Sequence, residues 1–236
     1  MESWSRRMTT LPLTMICLCL LSFLSGCENK SAMGDSPNGE SEGTSLPQRH
    51  AGLLDPSRAD LKAPPTFKVE FQTTKGDFVV FCRRDLAPRG ADRFFSLVTI
   101  GYYDGAAFYR VVPGFVVQWG INADPRITET WSRQRIQDDP VRAANLKGTL
   151  SFAMGGPNTR STQVFINLRD NRQLDGMGFA PFGEVVSGMD VVMSLDGRYG
   201  DRTLQDSERI ARGGDKYLRR RWPGLDRIVK ARILEE

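Results

Sequence analysis

Hydrophobic and polar residues begin to alternate at Phe67, and a period of two is typical of β-strands. Phe67, Val69 and Phe71 fall on one face, and polar residues occupy the positions between them. A Lys75–Gly76 turn follows, and then a second apolar run at residues 78–81. Two such runs joined by a short turn predict a β-hairpin.

After the hairpin the spacing changes to that of an amphipathic helix. Apolar residues stand at Ala91, Phe94, Phe95 and Val98, which is the i, i+3, i+4, i+7 pattern of one helix face. Pro88 suits the first turn, where its missing N–H is not needed. We therefore predict a helix that begins at about Pro88 and is stopped by Gly101.

Most of the remaining pattern consists of short apolar segments separated by glycine, proline and asparagine. They predict short strands at residues 107–112, 115–119, 148–153, 163–168, 182–186 and 228–234. Many short strands with few helices predict a mainly β fold in the form of a closed antiparallel barrel.

A more polar, basic region lies at residues 202–226, just before the last predicted strand. A helix start is predicted at Thr203–Asp206 and a stop at Gly213–Gly214. The apolar side chains expected to pack on the barrel are Leu204, Ile210, Tyr217, Leu218 and Trp222. We interpret the region as a helical insertion, and contact of its basic residues with anionic lipid headgroups is the alternative.

The N-terminus has the pattern of an export signal. Arg6 and Arg7 precede an apolar run at residues 11–24 that is too short to span a bilayer comfortably. The run ends in Leu-Ser-Gly-Cys, which resembles the lipobox of bacterial lipoproteins and implies lipidation of Cys27. The alternative is a plain signal peptide or a transmembrane stub with an incidental cysteine.

These patterns predict a lipoprotein signal peptide at residues 1–26, a flexible tether at 27–65 and one folded domain at 66–236. The tether is rich in Ser, Gly, Pro, Asn and Glu, and it has no hydrophobic period that could offset its ordering entropy. We expect the protein in the cell envelope, anchored to a membrane by lipid on Cys27 and facing the periplasm or another extracytoplasmic space.

Composition excludes several functional classes. The 236 residues carry a formal net charge of +4, and the charge outside the basic C-terminal region is nearly balanced, so no nucleic-acid partner is expected. The only histidine, His50, lies in the predicted tether. The folded domain therefore has no Ser-His-Asp or Cys-His catalysis, and most zinc sites are excluded. We expect neither metal nor cofactor.

Two other candidate groups have ordinary structural interpretations. Cys82 lies in an alternating apolar run, so we expect a buried thiol rather than a nucleophile. It would be the one free thiol after export and lipidation, so no intramolecular disulfide is expected. Asp138–Asp139 precedes Pro140, and a solvated turn is expected rather than a catalytic carboxylate pair.

Three blocks of sequence carry a family resemblance. They are Phe108–Gln118, with F-x-R and P-G-F before a glutamine, then Gly148–Ile166 and Leu174–Val185. In order and spacing they resemble the cyclophilin-type peptidyl-prolyl cis/trans isomerases, from about residue 67 to 195. The resemblance implies a closed eight-stranded antiparallel barrel capped by two helices, with the site on an outer face. The C-terminal helical extension lies outside the common pattern.

The resemblance also implies roles for ten residues. Arg110, Phe115 and Gln118 would be catalytic, and the substrate-binding residues would be Val116, Ala153, Met154, Gln163, Phe165, Leu174 and Phe179. Strand alternation independently places Phe108, Arg110 and Val112 on one face. It likewise places Gln163 and Phe165 on one face of another strand. An apolar surface with one cation is therefore expected.

The expected chemistry needs no proton transfer. Rotation about a peptide bond meets a barrier of roughly 18–20 kcal/mol, because the nitrogen donates its lone pair into the carbonyl. In the twisted transition state the lone pair returns to nitrogen, and Arg110 can donate a hydrogen bond to it. The expected function is isomerisation of X-Pro bonds in exported or envelope proteins.

The chain departs from the family pattern at Trp119, Met154 and Gln173, where glycine, asparagine and tryptophan are common, and tight cyclosporin binding is therefore not expected. A loop one residue longer than usual makes Phe179 only an approximate replacement for a pocket histidine.

The alternative function is a catalytically weak chaperone module that binds proline-containing segments. A lipocalin-like carrier is disfavoured by the outward-facing polar residues. We expect a monomer whose partners are proline-containing polypeptides.

Overall fold

The computed structural model describes residues 50–235. The predicted signal peptide, Cys27 and residues 27–49 of the predicted tether lie outside the described residues, so these assignments stay predictions. None of the helices in the described part is long and apolar enough to cross a membrane.

Eight antiparallel strands form one curled sheet. They are β1 (Thr66–Thr73), β2 (Gly76–Arg83), β3 (Arg110–Val112), β4 (Val116–Trp119), β5 (Thr149–Phe152), β6 (Val164–Asn167), β7 (Pro181–Ser187) and β8 (Ile228–Leu234). Their order in the sheet is β3-β4-β6-β5-β7-β2-β1-β8. The mainly β fold is confirmed, and β1 and β2 form the predicted hairpin.

The two ends of the sheet, β3 and β8, share no strand ladder among the described residues. The segments that precede them meet in one isolated antiparallel bridge between Ala107 and Arg227. Beside it, the Phe108 N–H donates to the Asp226 carbonyl at 2.9 Å. The described residues therefore do not show a closed barrel, although this bridge and this hydrogen bond join the two ends of the sheet at one point.

Within residues 50–235 four α-helices accompany the sheet, namely α1 (Pro88–Thr99), α2 (Pro125–Ser132), α3 (Met189–Met193) and α4 (Ser207–Arg221). There are 3-10 helices at Ala51–Leu53, Pro56–Ala59, Arg172–Met177 and Gly200–Asp206. The hydrophobic period predicts α1, whereas α2 and α3, with eight and five residues, are too short to show one. The stop predicted near Gly214 is a kink within α4, with φ of +55°.

The core lies between the sheet and α1 and is strongly aromatic. The rings of Phe71 and Phe78 stack at 4.8 Å, and Trp119 meets Phe71 edge-on at 5.5 Å. Cys82 is fully buried nearby, and burial raises the pKa of its thiol well above the ordinary value. The prediction of a buried, unreactive cysteine is in line with this burial.

The folded domain begins earlier than predicted. Leu53, Ala59 and Ala63 are buried in the main core, and the Trp131 indole donates to the Leu53 carbonyl at 3.1 Å. The described end of the predicted tether, residues 50–65, therefore packs on the domain. Three small or apolar residues spaced among polar ones show no period, but together they fill gaps against α1 and α2.

The prediction of a solvated turn at Asp138–Asp139 is wrong for Asp139, whose side chain is buried. It accepts hydrogen bonds from the N–H groups of Arg89 and Gly90, at 3.1 and 2.9 Å, in the first turn of α1. It also pairs with the buried guanidinium of Arg160 at 3.1 Å. Asp139 thus stabilises the start of α1, and a buried cation balances its charge.

The insertion packs against α2, β3 and the chain on either side of the β3–β4 pair. Ile210, Leu218 and Trp222 are buried in a second cluster with Tyr109. Leu204 does not belong to this cluster and is partly exposed.

Candidate active site

Strand register brings three of the predicted site residues into one row. β3 pairs with β4 so that Arg110 lies opposite Gln118, and β4 pairs with β6 so that Gln118 lies opposite Phe165. Directly opposed residues in antiparallel strands project to the same face of a sheet. A cation, an amide and an aromatic ring therefore stand side by side across three strands.

A cavity of about 140 Å³ opens beside this row. It is lined by Arg110, Phe115, Val116, Gln118, Ala153, Met154, Phe165, Leu174, Phe179 and Leu204. An apolar cavity of about 150 Å³ can hold benzene. A five-membered pyrrolidine ring therefore fits this cavity, with little room to spare.

The floor and walls of the cavity are apolar. Val116, Phe165 and Leu174 are buried there as a separate cluster, distinct from the main core. Phe179 meets Phe165 edge-on, with ring centroids 5.6 Å apart. The Arg110 guanidinium lies 5.5 Å from the centroid of the Phe115 ring, a distance at which a cation is attracted to the ring face.

A short hydrogen-bond chain fixes the polar side of the cavity. Arg110 Nη1 donates to Gln118 Oε1 at 3.0 Å, and Gln118 Nε2 donates to the Tyr109 hydroxyl at 2.5 Å. The Tyr109 hydroxyl donates onward to Gln163 Oε1 at 2.5 Å. Burial raises the pKa of Tyr109, so its hydroxyl stays protonated and holds both glutamines in place.

Buried asparagines hold the cavity walls from behind. Asn171 Nδ2 donates to the Phe115 carbonyl at 2.9 Å and to Asn167 Oδ1 at 2.8 Å. Asn145 Nδ2 donates to the Phe179 carbonyl at 2.9 Å. Because Asn167 lies on β6 and also donates to Asn145 Oδ1 at 3.1 Å, these amides tie the Phe115 and Phe179 walls to the sheet.

An acidic residue just before the insertion contacts the same arginine. Asp201 Oδ1 lies 2.7 Å from Arg110 Nε and 2.6 Å from Nη2. The Arg110 side chain is 15% exposed, whereas that of Asp201 is 58% exposed. The guanidinium is therefore held between Gln118 on one side and a largely hydrated carboxylate on the other.

Nine of the ten predicted site residues line the cavity, and Gln163 joins them through Tyr109 and Gln118. Phe108 is an exception to the predicted strand face, because it is fully buried in the main core. The chain at Phe108 is not yet strand, since β3 begins at Arg110, and the alternation does not extend back to it.

Sequence reasoning missed Tyr109, Asp201 and Leu204. Tyr109 stands inside the recognised motif and could have been found as a buried polar neighbour of Arg110. Asp201 is 91 residues from Arg110 in the chain, and neither it nor Leu204 carries a motif or a period. Only tertiary structure reveals their position.

The geometry is that of a small, largely apolar cavity beside a cation and an amide on a curled antiparallel sheet. The family model described as "Cyclophilin type peptidyl-prolyl cis-trans isomerase/CLD" matches residues 68–212. The chain therefore belongs to the cyclophilin family and is a peptidyl-prolyl cis–trans isomerase.

Curated relatives agree with this assignment. Peptidyl-prolyl cis-trans isomerase ppi1 of Schizosaccharomyces pombe is 40% identical over 129 residues, which cover 52% of this chain and 81% of the relative. Peptidyl-prolyl cis-trans isomerase B of Escherichia coli is 33% identical over 138 residues, covering 55% and 84%. A solved cyclophilin-type isomerase of Cryptosporidium parvum aligns with a TM-score of 0.54 over 72% of this chain and 99% of its own, at 21% identity, which shows the fold alone.

Proposed function

We propose that the enzyme isomerises X-Pro bonds by donating a hydrogen bond from Arg110 to the twisted prolyl nitrogen. The observation that carries the proposal is the position of the guanidinium at the edge of a hollow that fits one pyrrolidine ring. Phe115 and Gln118 complete the catalytic set, since one supports the face of the guanidinium and the other accepts from its Nη1.

The donor count of Arg110 is compatible with this role. A guanidinium has five N–H donors. Three are directed at Asp201 and Gln118, so two have no partner within the described part of the chain. A planar amide nitrogen accepts poorly, and a twisted one accepts well, so such a contact would form only near the transition state. Each ~1.4 kcal/mol gained there raises the rate about tenfold.

The apolar walls supply the other half of the mechanism. A proline ring held by Val116, Phe165 and Leu174 cannot rotate freely, so twisting falls on the carbonyl side of the bond. The ring also excludes water from the cavity, and this strengthens the arginine contact. Ala153, Met154, Gln163 and Phe179 would hold the flanking peptide.

The proposed cellular setting comes from the sequence. The apolar N-terminal run and its Leu-Ser-Gly-Cys end support export, lipidation at Cys27 and a location in the cell envelope, where exported polypeptides with proline would be the substrates. Labelling with a radioactive fatty acid tests the anchor. Incorporation that is lost in Cys27→Ser supports it, and equal labelling of both proteins refutes it.

The bridge between Ala107 and Arg227 supports a finer proposal for the fold, in which the eight strands close into the family's barrel. Protection of the Phe108 amide from hydrogen exchange, at the level of the β1–β2 ladder, tests this closure. Rapid exchange at Phe108 would contradict it.

A second candidate function is a binding module with weak catalysis, and the contact between Asp201 and Arg110 favours it, because a carboxylate compensates part of the cationic charge. A coupled proteolysis assay on an X-Pro peptide separates the two candidates. We expect clear activity in the parent chain and a loss of about a hundredfold or more in kcat/KM for Arg110→Ala.

The matched control is Arg83→Ala, which removes an exposed, ion-paired arginine on β2. It should retain full activity. A parent chain that binds the peptide without accelerating its isomerisation would support the binding module. An Arg110→Ala variant as active as the control would refute the proposed mechanism.

A further inference from the structure

The 3-10 helix at Gly200–Asp206, here named the rim segment, lies against the site and follows the three sequence blocks that carry the family resemblance. Asp201 contacts Arg110, and Leu204 lines the proline-sized cavity. We infer that the rim segment forms a further wall of the active site, in addition to the apolar walls described above. In this wall Asp201 is a positioning residue for Arg110, and Leu204 contacts the substrate. This inference rests on the proposed function of Arg110.

Burial and hydrogen bonds hold the rim segment in place at both of its ends. Thr203 within it is fully buried. At its end, Asp206 accepts hydrogen bonds from the Tyr217 hydroxyl at 2.6 Å and from the Trp222 indole at 2.9 Å. Just before it, the Tyr199 hydroxyl donates to the Pro223 carbonyl at 2.7 Å. A segment tied in this way keeps its position when a peptide arrives.

Asp201 supplies an orientation that Arg110 would otherwise lack. An arginine side chain has roughly 2 kcal/mol of rotamer entropy when free, and Arg110 lies on an end strand of the sheet. Gln118 holds only Nη1, so the guanidinium could still turn about that contact. Asp201 Oδ1 holds Nε and Nη2 and removes this freedom.

The carboxylate has a second, opposing effect, because it compensates part of the positive charge. Asp201 is 58% exposed, and the field of such a group is weakened by water and salt. Its short contacts with Arg110 persist regardless of screening. The orienting effect therefore outweighs the loss of charge.

Leu204 acts through packing. It is 39% exposed and lines the cavity together with the sheet residues. A leucine so placed can cover an apolar substrate side chain next to the proline. This contact is equally available to the planar and twisted peptide, so it affects binding rather than rate.

The test measures kcat and KM on an X-Pro peptide for variants of the full chain. For Asp201→Asn we expect kcat to fall about tenfold with KM changed less than about twofold, since a small misplacement of a catalytic group can cost up to about a hundredfold. Asp201→Glu, which keeps the charge, should recover part of the rate. Leu204→Ala should instead raise KM severalfold and leave kcat unchanged.

Two controls match these changes. Glu208→Gln removes an exposed, paired carboxylate just after the rim segment, and Leu61→Ala truncates a leucine of similar exposure, 37%, away from the cavity. Both should have parental kcat and KM. Because Asp201 acts through Arg110, the double variant Arg110→Ala/Asp201→Asn should be no slower than Arg110→Ala.

The outcomes separate this inference from the proposed function. If Arg110→Ala is fully active, the proposed function of Arg110 fails. If Arg110→Ala is inactive but Asp201→Asn keeps the parental kcat, only the positioning role fails. An increase of kcat in Asp201→Asn would show that the carboxylate restrains the arginine, and it would overturn the inference.

Discussion

Replacement of Tyr109 by phenylalanine tests whether the polar chain behind the site controls catalysis. The change removes one hydroxyl that accepts from Gln118 Nε2 and donates to Gln163 Oε1, both at 2.5 Å. Gln163 Oε1 keeps a longer contact of 3.1 Å with Gln118 Nε2. Gln118 Nε2 therefore loses the shorter of its two hydrogen bonds. Since Gln118 Oε1 accepts from Arg110 Nη1, the guanidinium is then held less firmly.

The magnitude follows from these contacts. A neutral hydrogen bond contributes about 0.5–1.5 kcal/mol, and two such bonds are lost. Because Gln118 Nε2 and Gln163 Oε1 still bond to each other, we expect the free energy of unfolding to fall by only about 1–2 kcal/mol. If Gln118 and Arg110 shift by a few tenths of an ångström, kcat should fall about three- to tenfold. KM should change less than kcat, because the apolar walls Val116, Phe165 and Leu174 make no contact with the Tyr109 hydroxyl.

Tyr103→Phe is the matched control, because Tyr103 is as buried as Tyr109 and its hydroxyl donates to the Thr162 carbonyl at 2.9 Å, away from Arg110. Urea unfolding followed by tryptophan fluorescence should show a similar loss of stability for both variants. The peptide assay should show a lower kcat for Tyr109→Phe alone. An equal loss of kcat in both variants, or in neither, would refute the coupling between Tyr109 and the site.

Two further predictions concern stability. Asp139→Ala should lower the free energy of unfolding by about 3–5 kcal/mol in urea unfolding, because it leaves the buried guanidinium of Arg160 without its closest buried partner; a loss below about 1 kcal/mol would contradict this account. The second concerns pH. Burial alone would raise the pKa of Asp206, but hydrogen bonds from Tyr217 and Trp222 outweigh it and lower that pKa below the ordinary 3.8. The folded state then binds fewer protons than the unfolded state, so this stabilisation is complete above 3.8 and is lost as pH falls through the lower folded value. Asp206→Asn should flatten that part of the curve of stability against pH, and an unchanged slope would contradict the assignment.

The parts of the fold that sequence predicts well are those with a clear local period. The β1–β2 hairpin and α1 have one face buried along their whole length, so their patterns are complete. The last strand is predicted with the bounds that the structure has, Ile228–Leu234. Where a segment is short or is held by distant contacts, as with α3, the period is lost and so is the prediction.

The site residues likewise divide into those that local sequence predicts and those that only distant contacts bring to the site. Arg110, Gln118 and Phe165 belong to motifs on paired strands, and the register alone brings them together. Asp139 was misjudged because its buried partner, Arg160, is 21 residues away and looks like a surface residue in the sequence. Asp201 was missed because one aspartate beside a polar insertion resembles any solvated residue in the sequence.

The insertion and the site are connected through more than Asp201. Tyr109 packs in the same cluster as Ile210, Leu218 and Trp222 of the insertion, and its hydroxyl holds the glutamines of the site. The insertion supports the site through its packing on Tyr109, and Asp201, the residue just before the insertion, supports Arg110 from the rim. The main core does not include this cluster, so a change in the insertion can alter Arg110 without disturbing the sheet. A segment that follows the three resemblance-carrying blocks can in this way adjust the rate of the enzyme while the sheet stays the same.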